Sequence, residues 1–189
     1  MVVADRYTRT AITLHWLIAV LMIGNVTLIL FVDTFPDAMV RPAINLHKSI
    51  GLTVLGLGLL RVLWRLSHRP PPLPPGMPVW ERLGAHAAHL VLYGLILGLP
   101  ISGWVHDSAF KSAGDFPLYL YGVIPWFRIG PIMALDPATK EQVHTLWFQI
   151  HSSLAYVLYA MVALHILGAL KHQFIDKQPE LQRMLPGRK

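Results

Sequence analysis

The stretch VHTLWFQIHSSLAYVLYAMVALHILGAL, Val143 to Leu170, decides the fold. It contains no charged side chain, and a helix needs about 20 mainly apolar residues to cross a bilayer, so it reads as a transmembrane span. Besides His144 at its start, two imidazoles interrupt it, His151 and His165, fourteen residues apart. Fourteen steps of about 100° return to within roughly 40° of the same helix face, about 21 Å further along the axis. One helix can therefore offer one imidazole to each of two centres stacked across a membrane.

Two further runs are free of charge, Ala11 to Val32 and Gly84 to Val105. A fourth, Ala43 to Leu66, carries Lys48 near its start and Arg61 and Arg65 near its end, where long basic side chains can snorkel to the interface. A cleaved signal peptide would have a shorter apolar core and a small-residue cleavage site, so the first run also counts as a span. The expected architecture is an all-α integral membrane protein, a single membrane domain over 1–189. Its four-transmembrane-helix bundle has spans at about 10–33, 43–66, 83–105 and 143–171. Composition agrees: 54% of residues are hydrophobic and only 14% charged, against about 25% charged in soluble domains. So apolar a chain is no soluble nucleic-acid binder, despite its net charge of +6. Without cysteine it has no disulfide, thiolate metal site, cysteine-ligated cluster or covalently attached haem.

Four spans place both termini on one side. The two terminal segments and the stretch Arg61 to Arg82 hold 11 of the 16 Lys+Arg, so the positive-inside rule makes the termini cytoplasmic. The inner connection over 69–78 is proline-rich and reads as a stiff, extended spacer. The outer connection, 106–142, is rich in aromatics. It is expected to lie on the membrane surface around a short interfacial helix, where an outer substrate or partner would meet the protein.

The ten histidines are the chemical resource. His15 lies six residues in from Arg9 and His165 six residues before Lys171, so both sit roughly 9 Å from the inner boundary. His47 opens the second span and His151 lies in the outer half of the fourth. Imidazoles inside a span need partners or ligands, and two pairs at two depths suit bis-imidazole haem in a four-helix bundle. The residue four positions on from each is small, Ala19, Gly51, Ala155 and Ala169, which leaves room for a flat macrocycle. Catalytic zinc fits less well because no carboxylate falls within a span. Proton relays usually carry an intramembrane acid, which is also missing. His86 and His89 share one side of the third span, as an interfacial pair or as partners for a haem propionate or quinone carbonyl. His89 also competes with His15 for the inner ligand position. Lys48, Arg61 and Arg65 either meet haem propionates or simply snorkel.

Ordered along the chain, Leu14-His15-Trp16-Leu17, His47-Lys48-Ser49-Ile50-Gly51, Leu60-Arg61-Val62-Leu63-Trp64-Arg65, His89-Leu90-Val91-Leu92-Tyr93 and Pro100-Ile101-Ser102-Gly103-Trp104 resemble the bacterial cytochrome b561 family. The fourth span agrees through His151, His165 and the trailing Lys171-His172-Gln173-Phe174. The resemblance implies a multi-pass di-haem b protein of the bacterial inner membrane that exchanges electrons with the ubiquinone pool. Its axial ligands fall on His15, His47, His151 and His165. Family members of this size act as superoxide oxidases, taking electrons from superoxide at the periplasmic face and giving them to ubiquinone. Lys48, next to His47, is then the best single candidate for superoxide steering. The competing reading is a cytochrome b anchor subunit that passes electrons between a partner dehydrogenase or hydrogenase and quinone. A haem-free structural or transport protein would require the paired histidines to be coincidence. Partners are then membrane lipid, quinone and either superoxide or a periplasmic donor, and a homodimer is compatible with the sequence.

Overall fold

A computed structural model describes residues 6–73 and 76–185. Four helices are long and apolar enough to cross a membrane: α1 (Arg9–Leu30), α2 (Asp37–Ser67), α3 (Val79–Ser108) and α5 (Pro137–Leu170), the last continued by a π turn over Lys171–Ile175. A hairpin of β1 (Leu118–Leu120) and β2 (Ile124–Trp126), then a one-turn helix α4 (Gly130–Met133), lie between α3 and α5, and a short α6 (Glu180–Met184) ends the chain. The helices outrun the apolar stretches. In particular α2 begins six residues before Ala43 and α5 six before Val143, the added turns carrying the charged residues Asp37 and Arg41 in α2 and Lys140 and Glu141 in α5.

The helix starts are chemically specified. Thr8 Oγ1 accepts the Ala11 amide at 3.2 Å to cap α1, and also receives the Trp64 indole N–H at 2.9 Å from the end of α2. Asp136 caps α5 by accepting the Ala138 and Thr139 amides, each at 3.1 Å, with Pro137 in the first turn where no amide donor is required. Hydrogen bonds from Thr139 hold the Asp136 carboxyl below its usual range. Both chain ends meet at one end of the bundle: the Trp16 indole donates to the Met184 carbonyl at 2.6 Å, and Arg6 donates to the Leu185 carbonyl at 2.7 Å. That end is called the near end below. Residues 68–73 are non-helical, as their prolines dictate; Pro74 and Pro75 lie outside the described residues.

The segment expected as a loop over 106–142 is shorter and more ordered than its composition suggests. Helix α3 continues through Ser108 and α5 already starts at Pro137. The interfacial helix is reduced to the single turn of α4, and a hairpin with Leu118 opposite Trp126 takes the rest. Its three-residue loop contains a turn closed by the Val123 amide donating to the Leu120 carbonyl at 3.0 Å, with positive φ at both central residues, Tyr121 (53°) and Gly122 (73°). A tyrosine in that region is strained. Two bonds to α2 hold it: its amide donates to Ser49 Oγ at 2.9 Å, and its hydroxyl lies 2.7 Å from Thr53 Oγ1.

The close-packed helix pairs are α1 with α2, α2 with α3 and α3 with α5. The backbones of α1 and α2 do not approach α5 as closely as that of α3 does, and side chains of α1 such as Met22 and Val26 reach the α3–α5 core cluster. The buried core is small, built on Leu95, Leu99 and Leu158 with Met22, Val26, Leu92 and Leu154 against it. Large apolar residues such as Val20, Leu63, Leu90 and Leu164 face outward, toward lipid. Gly58 marks the α2–α3 crossing, where an added Cβ would stand 2.5 Å from Ile96 Cγ2. Gly58→Val should therefore cost about 1–3 kcal/mol. Unfolding in mild detergent reads this directly, and an unchanged midpoint would show that the crossing relaxes freely.

Candidate functional site

Four of the ten histidines form two facing pairs. His15 on α1 and His165 on α5 have ring centroids 6.1 Å apart with planes at 70°. His47 on α2 and His151 on α5 are also 6.1 Å apart, at 87°. Both pairs join helices whose backbones do not pack closely, α1 with α5 and α2 with α5. Two imidazoles on opposite faces of one metal ion, each with a metal–nitrogen bond of about 2 Å, have centroids roughly 6 Å apart. The residues present thus suit a group that carries a metal between two imidazoles. Leu158, 4% exposed, is seven residues from each α5 histidine, so an apolar layer separates the two tiers. Gly51 leaves ordinary space: a Cβ there would meet only the Asn25 side-chain nitrogen, at 3.9 Å.

At the far end, His151 is held by α3. Its Nδ1 lies 3.0 Å from the Leu99 carbonyl and 2.9 Å from Ser102 Oγ. Because a carbonyl only accepts, Nδ1 carries the proton and Nε2 keeps its lone pair for a metal. A Cβ on Gly103 would stand 3.2 Å from the His151 ring, so glycine permits this close seat. Across the gap, His47 Nδ1 is buried against the Asn25 backbone and closes no well-formed hydrogen bond.

Lys48 is not the free cation its position next to His47 suggested. Its ammonium lies 2.6 Å from Asp107 Oδ1, and Arg128 Nε donates to the other carboxylate oxygen at 2.9 Å. Arg128 also donates to the carbonyls of Ala113 and Phe116, at 2.7 and 2.8 Å, tying the connecting segment to the end of α3. The triad has two cations for one anion, and only Lys48, with 27% of its side chain exposed, reaches solvent appreciably. Asp107 is thus buried and structural. Beside the triad, His106 and His144 stack at 3.9 Å, each Nδ1 donating to the other's backbone carbonyl at 2.9 and 3.0 Å. This reciprocal bond clamps α3 to α5.

At the near end a third imidazole joins the pair: His89 stands 5.6 Å from His165. Arg61 donates to the Ala11 carbonyl at 3.1 Å, lies over the Tyr93 ring and is in electrostatic range of His15, His89 and His165. Arg65 is exposed, within electrostatic range of Tyr7 and His89, and His86 is exposed. Below them Lys171 bridges Glu81 and Asp176, 2.8 Å from each, and His172 Nδ1 is 2.8 Å from the same Asp176 oxygen. Hydrogen bonds from Lys171, then His172, hold the Asp176 carboxyl below its usual range. Sequence reading missed this ion-paired floor, since Glu81 lies 90 residues from Lys171.

Known proteins supply the remaining context. A family model for prokaryotic cytochrome b561 matches residues 6–187. The chain is 35% identical over 184 residues to "Cytochrome b561 homolog 2" of Escherichia coli (strain K12), covering 96% of this chain and 92% of that protein. It is 31% identical over 186 residues to "Probable superoxide oxidase CybB" of Yersinia pestis, covering 97% and 98% respectively. A further relative, "Cytochrome b561 homolog 1" of Escherichia coli (strain K12), is 25% identical over 187 residues. Family membership implies haem b, and imidazoles facing one another with centroids 6.1 Å apart are the donor set such a group requires. This chain therefore belongs to the prokaryotic cytochrome b561 family, a multi-pass bacterial membrane protein whose work is electron transfer.

Proposed function

We propose that the chain holds two b haems, one between His15 and His165 and one between His47 and His151. It would pass electrons from a periplasmic donor, superoxide foremost, to ubiquinone in the inner membrane, with both termini cytoplasmic. The observation that carries this reading is the pair of 6.1 Å imidazole gaps, each between helices whose backbones do not pack closely. When bound, haem supplies reversible one-electron chemistry at a potential set by ligation and burial.

The chain's residues do the rest. The Leu95–Leu99–Leu158 layer keeps water and ions out between the tiers. Arg61 and Arg65 offer guanidinium charge to haem carboxylates at the near end, and Gly51 leaves the macrocycle room beside His47. Lys48 gives the far end a partly exposed ammonium, ion-paired with Asp107, next to a proposed ligand, and its triad keeps one net positive charge. A small anion is drawn there and meets a haem edge without crossing the core. Superoxide then leaves as dioxygen after giving up one electron; ubiquinone takes two electrons and two protons. The name of the Yersinia pestis relative supports superoxide as donor.

Stopped-flow mixing of oxidised protein with superoxide, at low and high salt, tests the donor. Reduction of the far haem should be fast and slow with rising ionic strength. Lys48→Gln, which leaves Asp107 paired with Arg128, should slow it roughly 3- to 10-fold at low salt and flatten the salt dependence. Slow, salt-independent reduction by superoxide alongside fast reduction by a protein donor or quinol would favour the partner-anchored cytochrome instead.

A further inference from the structure

We infer that Ser102 of α3, acting with the Leu99 carbonyl and Gly103, is a positioning residue that orients His151 and sets the potential of the far haem; this rests on His151 being an axial ligand. Ser102 is 1% exposed and is one of few buried polar residues in the bundle. Its hydroxyl donates to the Leu99 carbonyl at 2.8 Å, which turns an oxygen lone pair toward His151 Nδ1, 2.9 Å away. The His151 N–H is thereby shared between two acceptors, the Leu99 carbonyl at 3.0 Å being the other. Donation from the distal nitrogen makes an imidazole a stronger electron donor to its metal and fixes its plane. A stronger donor favours the oxidised iron and so lowers the potential.

The device is one-sided. His47, the partner across the gap, has no comparable hydrogen bond, and neither His15 nor His165 makes one to a described residue. Gly103 completes the seat: an added Cβ would come within 3.3 Å of His151 Nδ1 and 3.2 Å of Cε1, so any side chain there tilts or displaces the ring. The far and near haems therefore differ in potential through groups on α3, a helix that supplies no ligand.

Redox titration of the intact, haem-loaded protein, together with its low-spin electron paramagnetic resonance spectrum, tests this without assaying activity. Ser102→Ala should raise the potential of one haem, the one whose signal His151→Ala abolishes, and leave the other unmoved. Ser102→Thr, which keeps the hydroxyl, should restore the wild-type value. Gly103→Ala should shift the low-spin signal of that same haem and weaken its retention about 10-fold or more. If His151→Ala removes one haem while Ser102→Ala leaves both potentials at wild type, the inference is wrong and the ligand reading survives. If His151→Ala removes neither haem, the ligand reading itself falls.

Discussion

His47→Ala should purify with one haem in place of two, the near-end spectrum intact, and His15→Ala should lose the other. The expectation follows from the two tiers. Each proposed site has one imidazole from α5 and one from α1 or α2, and no other described histidine lies within ring contact of His47 and His151 to replace a lost ligand. The near end is the more demanding case, because His89 is close to His165 and could stand in for His15. Its 5.6 Å separation from His165 is shorter than the 6.1 Å of the two pairs, and it comes from α3, which packs directly against α5 and leaves no open seam between them. His89→Ala and His86→Ala should therefore keep both haems. Loss of a whole haem signal from His89→Ala would move the near ligand from α1 to α3.

Asp107→Leu should destabilise the protein by about 3–5 kcal/mol, the cost of leaving buried charge without its partner. The Asp107 and Arg128 side chains are 7% and 8% exposed, so the lost compensation falls chiefly on Arg128, whereas Lys48 can turn toward water. Asp107→Asn should cost less, since an amide oxygen still accepts one of the two donors. Unfolding in mild detergent would report both values, and a loss below about 1 kcal/mol for Asp107→Leu would show that the triad is not structural. The same variant should loosen the 109–129 segment, because Arg128 bonds the Ala113 and Phe116 carbonyls there.

These two effects differ in how visible they are in the sequence. The histidine tiers are legible because a membrane imposes depth: residues counted from the charged ends of apolar runs can be levelled against one another, and helical periodicity then puts His151 and His165 on one face. Nothing comparable announces that Asp107 is buried. It lies just past an apolar run, where a carboxylate normally meets water, and its partners are 59 and 21 positions away. Read from position alone, Lys48 therefore has no visible partner. The hairpin escaped for a related reason: three-residue strands show no alternation, and its turn puts a strained tyrosine at a position that favours glycine or asparagine. Ser102-Gly103 stood in the sequence as part of a family pattern, but its role depends on the 2.9 Å approach of a side chain 49 residues further on.

The central claim is that one chain builds two bis-imidazole haem sites, and haem per chain is its most direct measure. Extraction of the purified protein into pyridine, with the reduced haemochrome quantified against protein determined by amino-acid analysis, should give two non-covalent b haems per chain, both extractable into acid acetone. A ratio of one in fully loaded protein, or none, would contradict it.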